Sequence, residues 1–241
     1  MLARLPTVIP ARLAYTEMTG DTAAAMPRFL FGGNQMNRYH PTQSQDAPYP
    51  AVATHMPVLL ALFRTLRFSD VYEFGSGAYS TPMLGACTRA QEIGLYTGEN
   101  DQEWMPTPLH DKHAVGSVAS TWMSLPIPNS ARGVLTFIDC EAQLRAPIAD
   151  DIFMNGRANV CVIHDTEIMQ ERAYRLRSVL AKWRNHITVT CPFHFVRTSI
   201  VFDESDWVAP YDDLRIQLAA LDRNPSAHAT AWEEIKTFLR W

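Results

Sequence analysis

Two glycines that follow a short apolar stretch are the first residues of this chain whose spacing suggests chemistry. Gly75 and Gly77 come directly after residues 71–74, and a segment that can start a helix follows them. Glycines at such a turn let the backbone approach a ligand closely, and the N-terminus of a helix presents unpaired N–H groups to it. Glu73 lies inside the apolar stretch, where its carboxylate would repel a pyrophosphate and attract an ammonium group. The turn therefore predicts a ligand site that favours a positively charged group.

A second acid extends this prediction. Glu99 lies 22 positions beyond Gly77, after the second predicted strand. At roughly this distance from a glycine turn, dinucleotide sites carry an acid that accepts hydrogen bonds from the ribose hydroxyls. Ser80, however, occupies the position at which the dinucleotide fingerprint has its third glycine. This substitution and Glu73 argue against a dinucleotide. The structural alternative is a tight turn followed by a solvated loop acid.

Polar residues also follow two continuous apolar runs farther along the chain. Asp139 ends the run 134–138, and His164 and Asp165 end the run 159–163. Two carboxylates at the ends of adjacent parallel strands suit a hard divalent cation such as Mg²⁺, which would lower the pKa of a substrate hydroxyl. His164 could instead act as a general base, since imidazole titrates near neutral pH. The alternative is that these groups orient one another and cap the following helix.

Hydrophobic periodicity indicates the elements that must position these residues. Five apolar strands separated by helices, followed by a further helix and two strands too close together for a helical crossover, predict a doubly wound α/β sheet that ends in an antiparallel pair. The predicted strands are 71–74, 92–97, 115–120, 134–138, 159–163, 187–191 and 197–202. The predicted helices are 51–66, 80–90, 141–153, 168–183, 211–221 and 230–239. Ligands in such sheets bind outside the carboxyl ends of the strands, where the polar residues lie.

Four segments together resemble the class I S-adenosylmethionine-dependent methyltransferases. They are Glu73-Phe-Gly-Ser-Gly-Ala-Tyr-Ser-Thr81, Glu99, Phe137-Ile-Asp139 and Val162-Ile-His-Asp-Thr166. Their order and spacing match the family over about residues 50–205. The first segment is most similar to that of small-molecule and sugar O-methyltransferases. The resemblance implies a Rossmann-like, doubly wound, seven-stranded sheet, mostly parallel with a terminal antiparallel strand.

The resemblance also implies a cofactor and the residues that bind it. S-adenosylmethionine would lie across the first two strand ends, with Glu73 at its methionine end, Glu99 on its ribose, and the segment around Ser120 near its adenine. The implied cofactor-binding residues are Glu73, Gly75, Ser76, Gly77, Ser80, Thr81, Glu99, Asn100 and Ser120.

The second group supplies the implied catalytic residues, which are His164, Asp165 and Asp139. In the related metal-dependent enzymes the matching acids ligate the metal, so Asp139 and Asp165 are the predicted Mg²⁺ ligands. The chain departs from that pattern at Cys140 and at Thr166, which replaces a common asparagine. Glu141 and Glu167 are alternative sources of a third ligand. Arg145 either binds substrate or pairs with Asp150 or Asp151.

The function that fits these features is methyl transfer from S-adenosylmethionine to a hydroxyl of a small molecule or sugar, with possible assistance from a divalent metal. An NAD-dependent oxidoreductase on the same sheet is the first alternative, disfavoured by Glu73 and Ser80. A protein of this fold that has lost catalysis and acts as a binding module is the second. The patterns do not identify the methyl acceptor.

Composition limits the remaining possibilities. The chain has 241 residues and a formal net charge of -4, from which we expect no nucleic-acid partner. Its four cysteines have no Cys-x-x-Cys spacing, and it contains no stretch of apolar residues long enough to span a membrane, so we expect a cytosolic, soluble protein. The predicted division is an N-terminal arm or lid at 1–47, an α/β domain at 48–205 and a helical extension at 206–241. The oligomeric state is left open.

Overall fold

A central β-sheet with helices on both faces forms the part of the chain that the computed structural model describes. The described residues are 47–99, 114–118, 125, 127, 133–167, 170, 174–202 and 211–241. The predicted N-terminal arm lies outside them except for its last residue. The division into arm, domain and extension therefore stays a prediction.

The strands and helices follow the predicted order closely. The strands are β1 (Asp70–Phe74), β2 (Gly94–Glu99), β3 (Ala114–Val118), β4 (Val134–Ile138), β5 (Val160–His164), β6 (Asn185–Thr190) and β7 (Arg197–Phe202). A short 3₁₀ turn, Ala51–Ala53, precedes the helices α1 (Met56–Thr65), α2 (Ser80–Gln91), α3 (Ala142–Met154), α4 (Arg177–Leu180), α5 (Tyr211–Leu221) and α6 (Pro225–Leu239). None of the helices among these described residues is both long and apolar enough to cross a bilayer.

The strands form one sheet in the order β3-β2-β1-β4-β5-β7-β6. Strands β1 to β5 run parallel to one another, and β7 is antiparallel to both β5 and β6. This confirms the prediction of a mixed α/β sheet, mostly parallel, with an antiparallel strand at its end. The order reverses between β1 and β4, so their carboxyl ends border the crevice in which open α/β sheets bind ligands.

Two apolar layers enclose the sheet. One face packs against α1, α2, α5 and α6, with Phe63, Leu84, Leu218 and Trp232 among the buried side chains. The opposite face packs against α3 and α4, through Ile152 and other apolar residues. Strands β4 and β5 are buried along their whole length on both faces, which explains their continuous apolar sequence.

Three boundaries differ from the prediction because of local backbone chemistry. The predicted helix 168–183 is interrupted between the helical residue Tyr174 and α4, since Arg175 has a left-handed φ of 53° that a helix cannot contain. Glu92 also adopts a left-handed conformation, which ends α2 and delays the start of β2 to Gly94. In α6, the side chain of Asn224 caps the N–H of Ala227, so the helix begins five residues earlier than predicted.

Candidate functional site

The carboxyl ends of three central strands are held together by backbone hydrogen bonds around Gly75. The Gly75 N–H donates to the carbonyl of Gly98 (2.9 Å), and the Asp139 N–H donates to that of Phe74 (2.8 Å). Gly75 has a φ of 94° and lies so close to the Asp139 carbonyl that a Cβ there would be 2.5 Å from its oxygen. The first glycine of the turn is therefore required by the contact between β1 and β4.

Glu73 is fully buried directly before this turn. Its Oε2 accepts hydrogen bonds from the hydroxyls of Thr81 (2.9 Å) and Thr97 (2.8 Å). No described residue donates a hydrogen bond of good geometry to its Oε1, although the Ser80 hydroxyl also interacts with the carboxyl. Burial raises the pKa of the carboxyl to about 7, although the surrounding hydroxyls oppose the shift. The site thus contains a buried acid with one unused acceptor.

A chain of hydrogen bonds connects Glu73 to the glycine turn. The Gly77 N–H donates to the hydroxyl of Thr81 (3.0 Å), which in turn donates to Glu73. Ser80 begins α2 next to the turn, and a Cβ at Gly77 would be 2.9 Å from its hydroxyl oxygen. Helix α2 begins without a side-chain cap at its N-terminus. Because Gly77 has no side chain, the backbone of the turn can lie close to Ser80, the first residue of α2.

Glu99 completes the network from the neighbouring strand. It is the last residue of β2, and its buried Oε2 accepts hydrogen bonds from the N–H (2.9 Å) and the hydroxyl (3.2 Å) of Ser76. The structure thereby brings seven of the nine predicted cofactor residues into one cluster, in which hydrogen bonds link Glu73, Gly77 and Thr81, and also Ser76 and Glu99. Asn100 and Ser120 lie outside the described residues. The assignment of these residues to a cofactor stays a prediction.

Arg145 organises the second group of polar residues. Its side chain is only 7% exposed, and its guanidinium contacts Asp139 (2.9 Å) and Asp165 (3.2 Å). It also donates to the carbonyls of Cys140 and His164, both at 2.7 Å, and lies over the ring of Tyr174. Burial opposes ionisation of Asp139, but His164 and Arg145 hold the pKa of this carboxyl well below its usual range.

These contacts correct two expectations. Arg145 does not pair with Asp150 or Asp151, because Asp150 contacts Lys182 and Asp151 contacts Arg157. Asp139 and Asp165 do not form the predicted Mg²⁺ pair in this arrangement, because a cationic side chain already binds both carboxylates. The guanidinium occupies the position between the two carboxylates that a shared ion would need. The residues present therefore do not fit a magnesium ion at that position.

His164 ends β5 and lies beside the same carboxylates. Its Nδ1 is 3.2 Å from Asp139 and 3.5 Å from Asp165, and its Nε2 is 2.7 Å from the hydroxyl of Thr54. Burial alone would lower the pKa of the imidazole, but the two carboxylates outweigh it and raise the pKa to about 9. The raised pKa favours the protonated ring, which is poorly suited to act as a general base.

Two further residues belong to this region. His55 was not identified from the sequence, and Glu167 was named there only as an alternative metal ligand. His55, beside Thr54, packs its ring edge-on against His164 with 4.7 Å between ring centroids. Glu167 follows β5, and its buried Oε2 has no hydrogen-bond partner within the described part of the chain. Burial and the charge of Asp165 raise the pKa of Glu167 to about 7. Glu167 could be found from the sequence because it follows an apolar strand. No feature of the sequence around His55 indicates a role at the site.

Comparisons with known proteins give structural likenesses only. No protein-family model matches the sequence, and no curated protein matches it. Cofactor-bound Rv0187 from MTB has 15% identity and a TM-score of 0.46, over 65% of this chain and 82% of that one. An RNA methyltransferase from Salinibacter ruber, in complex with S-adenosyl-L-homocysteine, has 11% identity and a TM-score of 0.43, over 68% and 98%. The catalytic domain of hMettl16, in complex with MAT2A 3'UTR hairpin 6, has 13% identity and a TM-score of 0.45, over 68% and 75%.

The structures that resemble this chain thus include methyltransferases, and one was solved with the demethylated cofactor. Because each TM-score is below 0.5, the likeness does not establish the function, which has to be argued from the residues of the site. It does overturn one prediction. Nucleic acid was excluded on net charge alone, and RNA methyltransferases are among the matched proteins. A net charge of -4 is therefore not a reason to exclude a nucleic-acid partner.

Proposed function

We propose that this protein is an S-adenosylmethionine-dependent methyltransferase of the class I fold. The observation that carries the proposal is the pair of buried acids, Glu73 and Glu99, that flank one glycine turn at the point where the strand order reverses. A turn with a buried carboxylate beneath it repels a pyrophosphate and attracts a cation. This combination disfavours the NAD-dependent alternative. It suits a ligand that carries an ammonium and a sulfonium group together with a ribose.

The residues of the turn fit such a cofactor. The unused Oε1 of Glu73 is an acceptor for the ammonium group, directly or through water. Glu99 would exchange its contact with Ser76 for the ribose hydroxyls. The turn from Gly75 to Gly77 allows close approach of the backbone because neither residue has a side chain. When bound, S-adenosylmethionine supplies an activated methyl group, and the protein supplies position and deprotonation.

For the acceptor we retain a hydroxyl oxygen of a small molecule or sugar. The proposal is supported by Glu167, whose carboxyl has a pKa of about 7 and can accept the proton of a hydroxyl. Since the two carboxylates favour the protonated form of His164, we propose Glu167 as the candidate base. RNA is to be tested beside the small hydroxyl compounds. A cytoplasmic location is also retained as a proposal, supported by four free, buried cysteines.

Calorimetry tests the cofactor assignment directly. We expect heat of binding with S-adenosylmethionine and with its demethylated product, and none with NAD. Substitution of Glu99 by glutamine should weaken this binding by about 10- to 100-fold, since a hydrogen bond to a charged group contributes about 1.5–3 kcal/mol.

Glu92→Gln is the matched control, because Glu92 is an exposed acid seven residues earlier in the chain. It should bind the cofactor as the wild type does. Binding of NAD in preference to S-adenosylmethionine, or equal weakening by both substitutions, would contradict the assignment.

The pKa of Glu73 predicts how cofactor affinity depends on pH. Only the ionised carboxyl attracts the ammonium group, so affinity should rise as the pH increases through about 7. Between about pH 6 and about pH 8 the ionised fraction changes roughly tenfold, and the association constant should change equally. The measurement is calorimetric titration at several pH values. In Glu73→Gln the weaker binding should lose this dependence, and a pH profile unchanged by the substitution would refute the role of Glu73.

A further inference from the structure

His55 is a buried histidine that is 1% exposed. Among the described residues, neither of its ring nitrogens has a hydrogen-bond partner. Buried polar groups in native proteins nearly always have a partner, and an orphan calls for an explanation such as a bound ion or water. The surrounding apolar contact, with Phe137 at 4.9 Å between ring centroids, cannot satisfy these nitrogens. Each ring nitrogen that carries no proton therefore has a lone pair available for a ligand.

Two metal-ligating side chains lie next to His55. His164 and Asp139 each direct one ligand atom toward it, and the three atoms lie within 4.8 Å of one another. The Nδ1 of His164, which makes no hydrogen bond of good geometry, is 3.2 Å from Oδ1 of Asp139. Ligand atoms of a tetrahedral ion with bonds of about 2.0–2.2 Å are roughly 3.3–3.6 Å apart. The cluster, whose ligand atoms lie within 4.8 Å of one another, would contract by up to about 1.2–1.5 Å to close around an ion.

We propose that His55, His164 and Asp139 bind a divalent transition-metal ion of the Zn²⁺ class. Two imidazoles and one carboxylate suit zinc, whereas Mg²⁺ prefers oxygen ligands and water. The site differs from the Asp139–Asp165 pair predicted from the sequence, because the ion lies on the histidine side of Asp139 and Asp165 is not a ligand. Among the described residues, these three side chains are the group of potential metal ligands whose atoms lie close enough together to hold an ion.

Neighbouring side chains orient the three ligands. The hydroxyl of Thr54 contacts Nε2 of His164 at 2.7 Å, which turns Nδ1 toward the ion. Arg145 fixes Asp139 at 2.9 Å, and its own charge is balanced by Asp165 at 3.2 Å. Such outer contacts set the tautomer of a ligating histidine and the orientation of a ligating carboxylate. The ion would take the place of the proton on Nδ1 of His164, which is released to solvent.

Three protein ligands leave one tetrahedral position open. The side chain of Asp139 is 22% exposed at the carboxyl end of β4, so this position can face the crevice. Under the proposed function, on which this step alone rests, it would bind an oxygen of the methyl acceptor. Metal binding itself is independent of methyl transfer, and the two can fail separately.

Metal titration of the full chain tests the site. After treatment with chelator, Zn²⁺ is titrated in competition with a chromophoric chelator, and Co²⁺ is titrated while visible absorption is recorded. We expect one ion per chain, affinity for Zn²⁺ at least about 100-fold above that for Mg²⁺, and the absorption of tetrahedral Co²⁺.

His55→Phe removes a ligand while filling the apolar space, and it should weaken Zn²⁺ binding at least about 100-fold. His55→Gln serves as a second variant if His55→Phe does not fold. His186→Gln alters a histidine of β6 outside the cluster and should leave the affinity unchanged. Absence of a stoichiometric ion in the wild type, or equal affinity in the His55 variants, would overturn the proposal. Calorimetry with S-adenosylmethionine in the same chelated protein reports separately on the proposed function.

Discussion

Arg145→Met is expected to lower the free energy of unfolding by about 3–5 kcal/mol, because it leaves two partly buried carboxylates without the guanidinium that bridges them. Arg145 contacts Asp139 at 2.9 Å and Asp165 at 3.2 Å, and its side chain is almost fully enclosed. Methionine preserves much of the side-chain length and the apolar packing, so the loss reports on the charge and the hydrogen bonds. Urea denaturation in the presence of chelator measures it, since a bound metal would add its own stability.

The expected loss of stability is large because the guanidinium binds several groups. Besides the two carboxylates, it donates to the carbonyls of Cys140 and His164, which belong to the segments after β4 and at the end of β5. One side chain thereby ties two neighbouring strand ends together. Asp165 has a left-handed φ of 56°, a conformation that costs about 1–3 kcal/mol and persists only where contacts enforce it. Without Arg145 this segment is expected to relax.

Arg64→Met is the matched control, because Arg64 forms an exposed ion pair with Glu234 on the helical layer. The two side chains are 44% and 40% exposed. Exposed ion pairs contribute about 0–1 kcal/mol to stability. The free energy of unfolding of this variant should therefore lie within about 1 kcal/mol of the wild-type value. Comparable losses in both variants would mean that the buried network has no special stability.

Gly75→Ala is the second substitution with a large expected effect. We expect it to lower the free energy of unfolding by about 3 kcal/mol or more. A Cβ at this position would lie 2.5 Å from the carbonyl oxygen of Asp139 and 2.8 Å from Cα of Cys140. These are backbone atoms of the next strand end, which cannot move aside as a flexible side chain can. The φ of 94° adds strain for any residue with a side chain. Denaturant unfolding measures the cost.

Gly85→Ala provides the contrast within the same segment of the chain. Gly85 lies inside α2, has no unusual φ, and its nearest neighbour to an added Cβ is a side-chain carbon of Leu95 at 3.9 Å. Alanine is the better helix former by about 1 kcal/mol, so this variant should be as stable as the wild type or more stable. A Gly75→Ala protein with wild-type stability would show that the strand ends can separate, and that the turn is less constrained than its geometry indicates.

Much of the fold could be predicted from the sequence because periodicity reflects burial. Strands β4 and β5 are continuous apolar runs, and their observed positions agree with the predicted ones within one residue. The first part of the site was predictable for a related reason. A glycine turn, a buried acid before it and a second acid after the next strand lie close in sequence, and the parallel pairing of β1 with β2 brings them together.

The second part of the site was not predictable in the same way. Arg145 was expected either to bind substrate or to pair with Asp150 or Asp151 of its own helix, but its ionic partners lie at two strand ends. His55 belongs to a segment just before α1, and nothing in its neighbourhood marks it as a companion of His164. Each of these contacts joins residues that the chain separates and the sheet brings together.

The sequence by itself determined the α/β class, the order of the elements and the glycine turn with its two acids, because local periodicity and backbone chemistry carry that information. Tertiary structure alone decided which charges meet. It placed a guanidinium between Asp139 and Asp165, where an ion had been expected, and turned His164 toward His55 on the other side of Asp139. The physical reason is that charge pairing depends on distances between side chains from different elements, and these distances are set by the packing of the whole sheet.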